Sequence, residues 1–343
     1  MSSNTRRHFL ATVAATSAGL ATRHVLGAAP AITSFDKAQI AITLDLEMAR
    51  NFPLWEDTHW DYEKGNLNQD AKTFAVDACR RVKKRGGVVH AFCVGQVLEQ
   101  PNVDWLKAIA AEGHPIGNHT YDHVNLLAKK PDEIQYKFNR APWLIRDRPI
   151  AEILRDNIRL TNVALKERLG VEASGFRTPG GFATGLHGRE DLQKMLLGLG
   201  FNWISCKYPA HAGMEDLVGT HKTTPSEAAY ANIVSAQLEA QPYLYSTSLL
   251  DIPMSPISDV GAFRNGRWQL EHLLKAIRLA MDWVIERRAV FDFLCHPSVI
   301  GVMDPGFQAI DLICDLVERS NGAAEIVSLD VIAKRIRPKL APN

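Results

Sequence analysis

Apolar and polar positions alternate along this chain in blocks of two kinds. Short apolar runs read as buried strands: residues 39–44, 88–94, a brief one at Ile116, 173–177, 201–205, 247–252, 291–295 and 325–328. Between them lie helical patterns. Ala71, Phe74, Ala75, Ala78, Cys79 and Val82 fall at helical spacing within 69–85, and Gly86-Gly87 ends that segment. Further helices are expected at 102–112, at 189–199, at 268–288 and at 307–319. A mostly helical stretch over 131–169 is interrupted near Pro142 and Pro149. Strands that alternate with helices make a parallel sheet. Seven or eight such units on about 300 residues point to one closed or nearly closed βα barrel rather than two domains. Two connections are long, 48–68 and 206–246, and long loops in a compact domain are usually functional or disordered.

The first thirty residues break this pattern. Arg6-Arg7 precedes Phe9-Leu10, then comes a weakly apolar run to Thr22, then small residues from Gly27 to Ala31. That is the layout of a bacterial export signal. The arginine pair is of the twin-arginine type, whose cargo crosses the membrane already folded. The apolar run is shorter than the roughly 20 residues a membrane-spanning helix needs, so no permanent span is expected. A flexible basic tail or an uncleaved anchor is the plainer alternative. The expectation is an export signal over 1–30, the twin-arginine machinery as a partner, and a periplasmic or cell-surface destination.

Charge adds little. The chain has 39 basic and 38 acidic residues, and residues 1–30 hold three arginines and no acid, leaving 36 against 38. No basic stripe with interleaved aromatics is present, so nucleic acid is not an expected partner. The five cysteines (Cys79, Cys93, Cys206, Cys295 and Cys314) show no metal-ligand spacing, and most sit among apolar neighbours. They read as small buried hydrophobes.

Barrel enzymes carry their chemistry at the carboxyl ends of the strands. The polar residues there are few: Asp45 and Glu47, His119 and His123, Arg177, and His296. His119 and His123 are at i and i+4, so one helical turn would put both rings on one face and within reach of one ion. A third ligand from another strand would leave a position open for water, as catalytic zinc sites require. Glu47 or Asp45 can supply it. These two acids are at i and i+2, which in a strand point the same way. One can then bind a metal while the other takes a proton from water. His296 precedes Pro297 and can protonate a leaving nitrogen. The Arg177 fork can fix a carboxylate such as Asp45. Each residue alone has a bland reading, as a surface histidine pair, a solvated acid pair, a hydrogen-bonded strand-end histidine or an arginine in a turn. Their convergence on strand ends is the signal. Phe52, Trp55, Trp60 and Tyr62 in the 48–68 loop either stack on a sugar or anchor the loop.

In their order along the chain these segments resemble the polysaccharide deacetylase family, also called carbohydrate esterase family four, which includes the nodulation chitooligosaccharide deacetylases. The matching stretches are the acidic motif at Asp45, Val89–Gly95, Glu112–His123, Phe176–Gly180 and Leu294–Pro297, and Gly113–His123 is the most specific. The resemblance covers roughly residues 38–330. It implies a distorted (β/α)7–8 barrel of the glycoside hydrolase and deacetylase type, with a catalytic domain over 38–335. It makes Asp45 the general base, His119 and His123 metal ligands, His296 the general acid, and Arg177 the residue that orients Asp45. It also implies Zn2+ or another divalent transition metal.

The chain departs from the family pattern in three places. Leu46 stands where the family has a second Asp, so Glu47 is assigned to the metal. Gly180-Gly181 replaces an aromatic after the arginine motif. No acid is evident at Trp203–Cys206, near the next strand end. The expected activity is metal-dependent removal of acetyl groups from N- or O-acetylated polysaccharide. The alternatives are hydrolysis of another non-peptide C–N bond, as in a cyclic amide or ureide, and a non-catalytic carbohydrate-binding relic. A carbohydrate or small amide is the expected substrate.

Overall fold

A computed structural model describes residues 35–54, 64–211 and 224–340. The expected export signal lies outside these residues, as do Trp55, Trp60 and Tyr62. Nine strands form one sheet: β1 (Ala38–Leu46), β2 (Val89–Cys93), β3 (Ile116–Asn118), β4 (Phe176–Phe182), β5 (Trp203–Lys207), β6 (Tyr243–Leu244), β7 (Leu250–Asp251), β8 (Val290–Cys295) and β9 (Ala324–Ile326). The order is β6-β7-β5-β4-β3-β2-β1-β8, and β9 also pairs with β1. Every pairing is parallel except β6 with β7.

The ends of this curled sheet are joined by less regular contacts. After β7, Ser255 N–H donates to Asp292 O at 3.0 Å and Ser255 Oγ accepts from Asp292 N–H at 3.2 Å. The Gln241 side chain pairs with both backbone groups of Val290, at 2.9 and 3.1 Å. The backbone groups along β8 thus find partners without a regular ladder. The result is the expected distorted βα barrel.

β1 is the central strand. All nine of its residues are buried, and it is flanked by β2 and β8. Strands covered on both faces read as continuous apolar runs, which is why this one is legible in the sequence. The helix Gln69–Lys84 buries the six residues its spacing picks out. Asn68 caps it by accepting from Ala71 N–H at 2.9 Å, and Arg81, Lys83 and Lys84 complement its carboxyl end. Burial of Phe74 and Val82 stabilises by roughly 1.5–3 kcal/mol each. All five cysteines are buried free thiols.

Several elements differ from expectation. The connection 206–246 contains a helix, Glu227–Ala236, whose buried residues Ala229, Tyr230, Ile233 and Ala236 are helically spaced. Two of the four are alanines, so its apolar stripe is faint. A closing helix, Leu329–Leu340, follows β9 where no element was expected. β4 starts at Phe176 rather than at 173, because Gly175 is left-handed (φ +72°) and a Cβ there would meet the Trp203 ring at 2.1 Å.

His90 on β2 is fully buried, donates from Nε2 to Ser174 O at 2.8 Å, and stacks on Phe92. Burial pushes its pKa down to about 4, with Arg177 adding to the effect. The unfolded chain binds a proton near pH 6.5 and the folded one does not, so stability is full above that pH and falls as pH drops toward 4. His90→Gln, which keeps a donor for Ser174, should reduce the stability lost between pH 7 and pH 4.5 by roughly 1–3 kcal/mol. Urea unfolding at the two pH values measures this, and equal losses in both proteins would show that His90 is not a source of the acid sensitivity.

Candidate active site

The carboxyl end of β1 delivers the two acids. Asp45 is on the strand, and Glu47 lies just past it, where Glu47 N–H donates to Asp45 O at 3.0 Å. That tight turn, rather than strand alternation alone, brings both carboxylates to one cavity of about 410 Å³. Ser298 Oγ donates to Glu47 O at 2.8 Å and accepts from Ala49 N–H at 2.9 Å, so the turn is tied to the helix that follows β8.

His119 and His123 converge, but not on a helix. The segment after β3 is a turn in which Thr120 (φ +59°) and His123 (φ +56°) are left-handed. The expected helical turn is corrected on this point. Asn118 Oδ1 accepts from Thr120 N–H, Thr120 Oγ1 accepts from Val124 N–H, and Asn157 Oδ1 accepts from Asp122 N–H, all within 3.0 Å. These side chains divert backbone donors from a helical ladder. The two rings end 5.1 Å apart, centroid to centroid.

His119 Nδ1 donates to Arg177 O at 3.0 Å, which leaves Nε2 facing the acids, 3.7 Å from Asp45 Oδ2 and 3.8 Å from Glu47 Oε2. Burial pushes the His119 pKa down to about 4, so the ring is neutral near pH 7 and offers a lone pair. For Glu47, burial raises the carboxyl pKa, but His123, Lys64 and His119 together outweigh it and hold the group well below its usual range. Glu47 Oε1 accepts from Lys64 Nζ at 2.7 Å. Its Oε2 is buried and lies 2.7 Å from His123 Nε2 without hydrogen-bond geometry.

One ligand atom each from Glu47, His119 and His123 lies within 4.8 Å of the others. A buried carboxylate oxygen with no hydrogen bond, facing two imidazole nitrogens, is a donor set that suits zinc or another divalent transition metal. The Nδ1 contact to a carbonyl is the usual outer support of a ligating histidine.

His296 closes the far side. Its N–H and Nδ1 both bond Asp259, at 2.6 and 2.9 Å, so Nε2 faces the cavity, 3.9 Å from both Asp45 Oδ2 and Glu47 Oε1. Burial alone would push its pKa down, but Asp259 first, then Asp45 and Glu47, turn the net shift upward.

Arg177 is fully buried beneath Asp45. Nη1 donates to Asp45 Oδ1 at 3.1 Å and to Thr43 Oγ1 at 2.8 Å, while Nη2 donates to Ser205 Oγ at 3.0 Å and to Asp292 Oδ2. The guanidinium lies 4.4 Å from the centre of the Phe92 ring. Five of the six strand-end residues singled out in the sequence therefore line one cavity, and Arg177 lies buried beneath it.

Residues 62–195 match the sequence pattern of the polysaccharide deacetylase family. Over that stretch the chain is similar to the family. It is 40% identical over 80 residues to a peptidoglycan-N-acetylglucosamine deacetylase of Bacillus cereus, a match spanning 20% of this chain and just over a quarter (28%) of that protein. Crystal structures named as polysaccharide deacetylases from Mycobacterium smegmatis and Pseudomonas aeruginosa PAO1 align with TM-scores of 0.57 and 0.57, at 17% and 14% identity. They cover 90% and 89% of this chain and 93% and 92% of theirs. The structure of Puue allantoinase aligns with a TM-score of 0.55 at 13% identity, over 90% of this chain and 93% of that one. At these identities the likeness is one of fold.

Within the polysaccharide deacetylase pattern, the structure accounts for two of the departures. In the middle of β5, Ser205 bonds the Arg177 fork, and Asp292 and Asp259 bring carboxylates from β8 and from the segment after β7. Next to Gly181, Tyr208 lines the cavity: a Cβ on Gly181 would meet Tyr208 Cβ at 2.3 Å, so only glycine lets this ring approach. Sequence reasoning passed over Asp259, Asp292, Lys64 and Tyr208. Asp292 carried a signal, an acid in the middle of the otherwise apolar run Val290–Cys295. The other three carried none, because they reach the cavity from loops.

Arg177→Met would leave Asp45 and Asp292 buried without their cation, at an expected cost of about 3–5 kcal/mol in urea unfolding. Adding Asp292→Asn should recover part of that loss. Strictly additive losses would mean the Arg177–Asp292 pair is not coupled.

Proposed function

We propose that this protein removes acetyl groups from N-acetylated polysaccharide by hydrolysis. The observation that carries the reading is the grouping of two carboxylates and two imidazoles at one strand-end rim, with a third imidazole, held by its own aspartate, across from them. Glu47, His119 and His123 would hold a divalent metal, zinc by the chemistry of the set. When bound, such an ion supplies Lewis-acid chemistry, polarising an acyl carbonyl and acidifying water. Asp45 takes the proton of the attacking water, and Arg177 holds its carboxylate in position. His296 gives a proton to the departing nitrogen from Nε2, while Asp259 fixes the ring through Nδ1.

The local match to a peptidoglycan-N-acetylglucosamine deacetylase supports an N-acetylated glycan as substrate. The arginine pair and apolar run at the amino end support export to the periplasm or cell surface, and no helix among the described residues is long and apolar enough to cross a membrane. The fold-level likeness to Puue allantoinase favours one second reading, cleavage of a cyclic ureide C–N bond by the same groups.

The test is zinc content together with acetate release from chitin oligomers, peptidoglycan and acetylated xylan, with allantoin consumption run beside them. Asp45→Asn should cut turnover by about 10²–10⁴-fold while zinc content stays at the wild-type level. His123→Ala should lose the zinc. Full acetate release by Asp45→Asn, or turnover untouched by a chelator in metal-free protein, would overturn the role assignments. Consumption of allantoin with no acetate from any glycan would favour the second reading.

A further inference from the structure

The cavity carries more cations than its acids answer, and the surplus lies on an unusual segment. Residues Val260–Asn265 form a π-helical turn, in which Gly266 N–H donates to Gly261 O at 3.0 Å. Turns of this kind are rare and recur at functional sites. The residue before the turn is Asp259, the partner of His296. Near its far end is Arg264, a half-buried residue of the cavity wall.

Arg264 Nε donates to Asn265 Oδ1 at 3.2 Å, and its terminal amino groups meet no acceptor among the described residues. Burial pushes its pKa down; Glu47 and Asp259 oppose that shift without cancelling it, and Arg50 and Arg267 add to it to a smaller degree. Two neighbouring cations differ in this respect. Arg177 is paired with Asp45 and Asp292, and Lys64 with Glu47. Arg50 also lines the cavity and forms no ion pair among the described residues. A partly desolvated guanidinium without an anion is costly, and its planar fork suits a carboxylate or a phosphate.

We propose that Arg264, assisted by Arg50, binds an acidic substituent of the substrate, so that the preferred N-acetylated sugar carries a carboxylate or a phosphate close to its acetamido group. The proposal rests on the hydrolase reading above and specifies its substrate class. A charge-assisted pair of this kind discriminates by about 10–100-fold.

The experiment uses three matched tetramers of N-acetylglucosamine: unmodified, oxidised to the carboxylate at C6, and phosphorylated at C6. Binding to the Asp45→Asn protein is measured by calorimetry, and kcat/KM by acetate release from the protein with Asp45 intact. We expect one acidic tetramer to be preferred over the neutral one by at least about tenfold in KM and in Kd. Which acid is preferred identifies the source of the anion. Arg264→Gln should reduce the preference to about threefold or less, and Arg50→Gln, on the exposed rim, should reduce it in part. Equal handling of all three tetramers by the wild type overturns the proposal, as does a preference that survives both substitutions. Acetate released equally from neutral and acidic tetramers would leave the hydrolase reading standing and remove this one. Binding of an acidic tetramer through Arg264 with no acetate from any substrate would do the reverse.

Discussion

A single buried guanidinium organises the centre of this molecule. Arg177 has no contact with solvent and could not stay charged there without anions. It is held by Asp45 on one side and Asp292 on the other, with Thr43 and Ser205 filling its remaining donors. These partners come from β1, β5 and β8, while Arg177 itself is on β4. One side chain thus ties together four strands that are far apart in the chain. Thr43 Oγ1 also donates to Asp292 Oδ1 at 2.7 Å, so the network closes on itself. In a low-dielectric interior such a network is stable only when nearly complete. The consequence for the site is direct, because the carboxylate at the end of β1 has little freedom to turn away from the cavity.

Around that centre, the rim is assembled from backbone that would not form by itself. His123 has a left-handed backbone, which costs energy for a residue with a side chain. Asn118, Thr120 and Asn157 each accept a backbone N–H of the turn and over-determine its shape. Asp122 accepts from Gln96, Lys137 and Asn157. Across the cavity, Asp259, just before the π turn, bonds both the backbone N–H and Nδ1 of His296. Strain at these places is held by ordinary hydrogen bonds behind them, which is how a fixed arrangement of ring nitrogens and carboxylates survives at the end of a sheet.

The electrostatic pattern has two layers. Deep in the cavity two carboxylates face three imidazole rings, and Glu47 Oε2 has no hydrogen bond among the described residues. Nearer the mouth, Arg50 and Arg264 tip the balance toward positive. A cavity arranged this way keeps its two arginines apart from its cluster of acids and imidazoles. That separation is consistent with the glycine pair and Tyr208 having replaced the expected aromatic at the rim.

The sequence determined the alternation of strands and helices, the parallel sheet, and the six strand-end residues, five that line the cavity and Arg177 beneath them. Those signals are local: a buried strand must be apolar throughout, and a polar residue at its end stands out. Asp292 stood out in the same way within β8, and its role was invisible only because its partner Arg177 is 115 positions away. The helix Glu227–Ala236 was missed because alanines make half of its buried stripe. The i and i+4 spacing of His119 and His123 suits a helical turn, and spacing alone does not reveal that Asn118 and Asn157 take the backbone donors. Asp259, Lys64, Tyr208 and Arg264 lie on segments with no repeating pattern, so nothing local marks them. Only closure of the barrel brings these loops to one end of the sheet, and their contacts depend on distances through space that the order of residues does not encode.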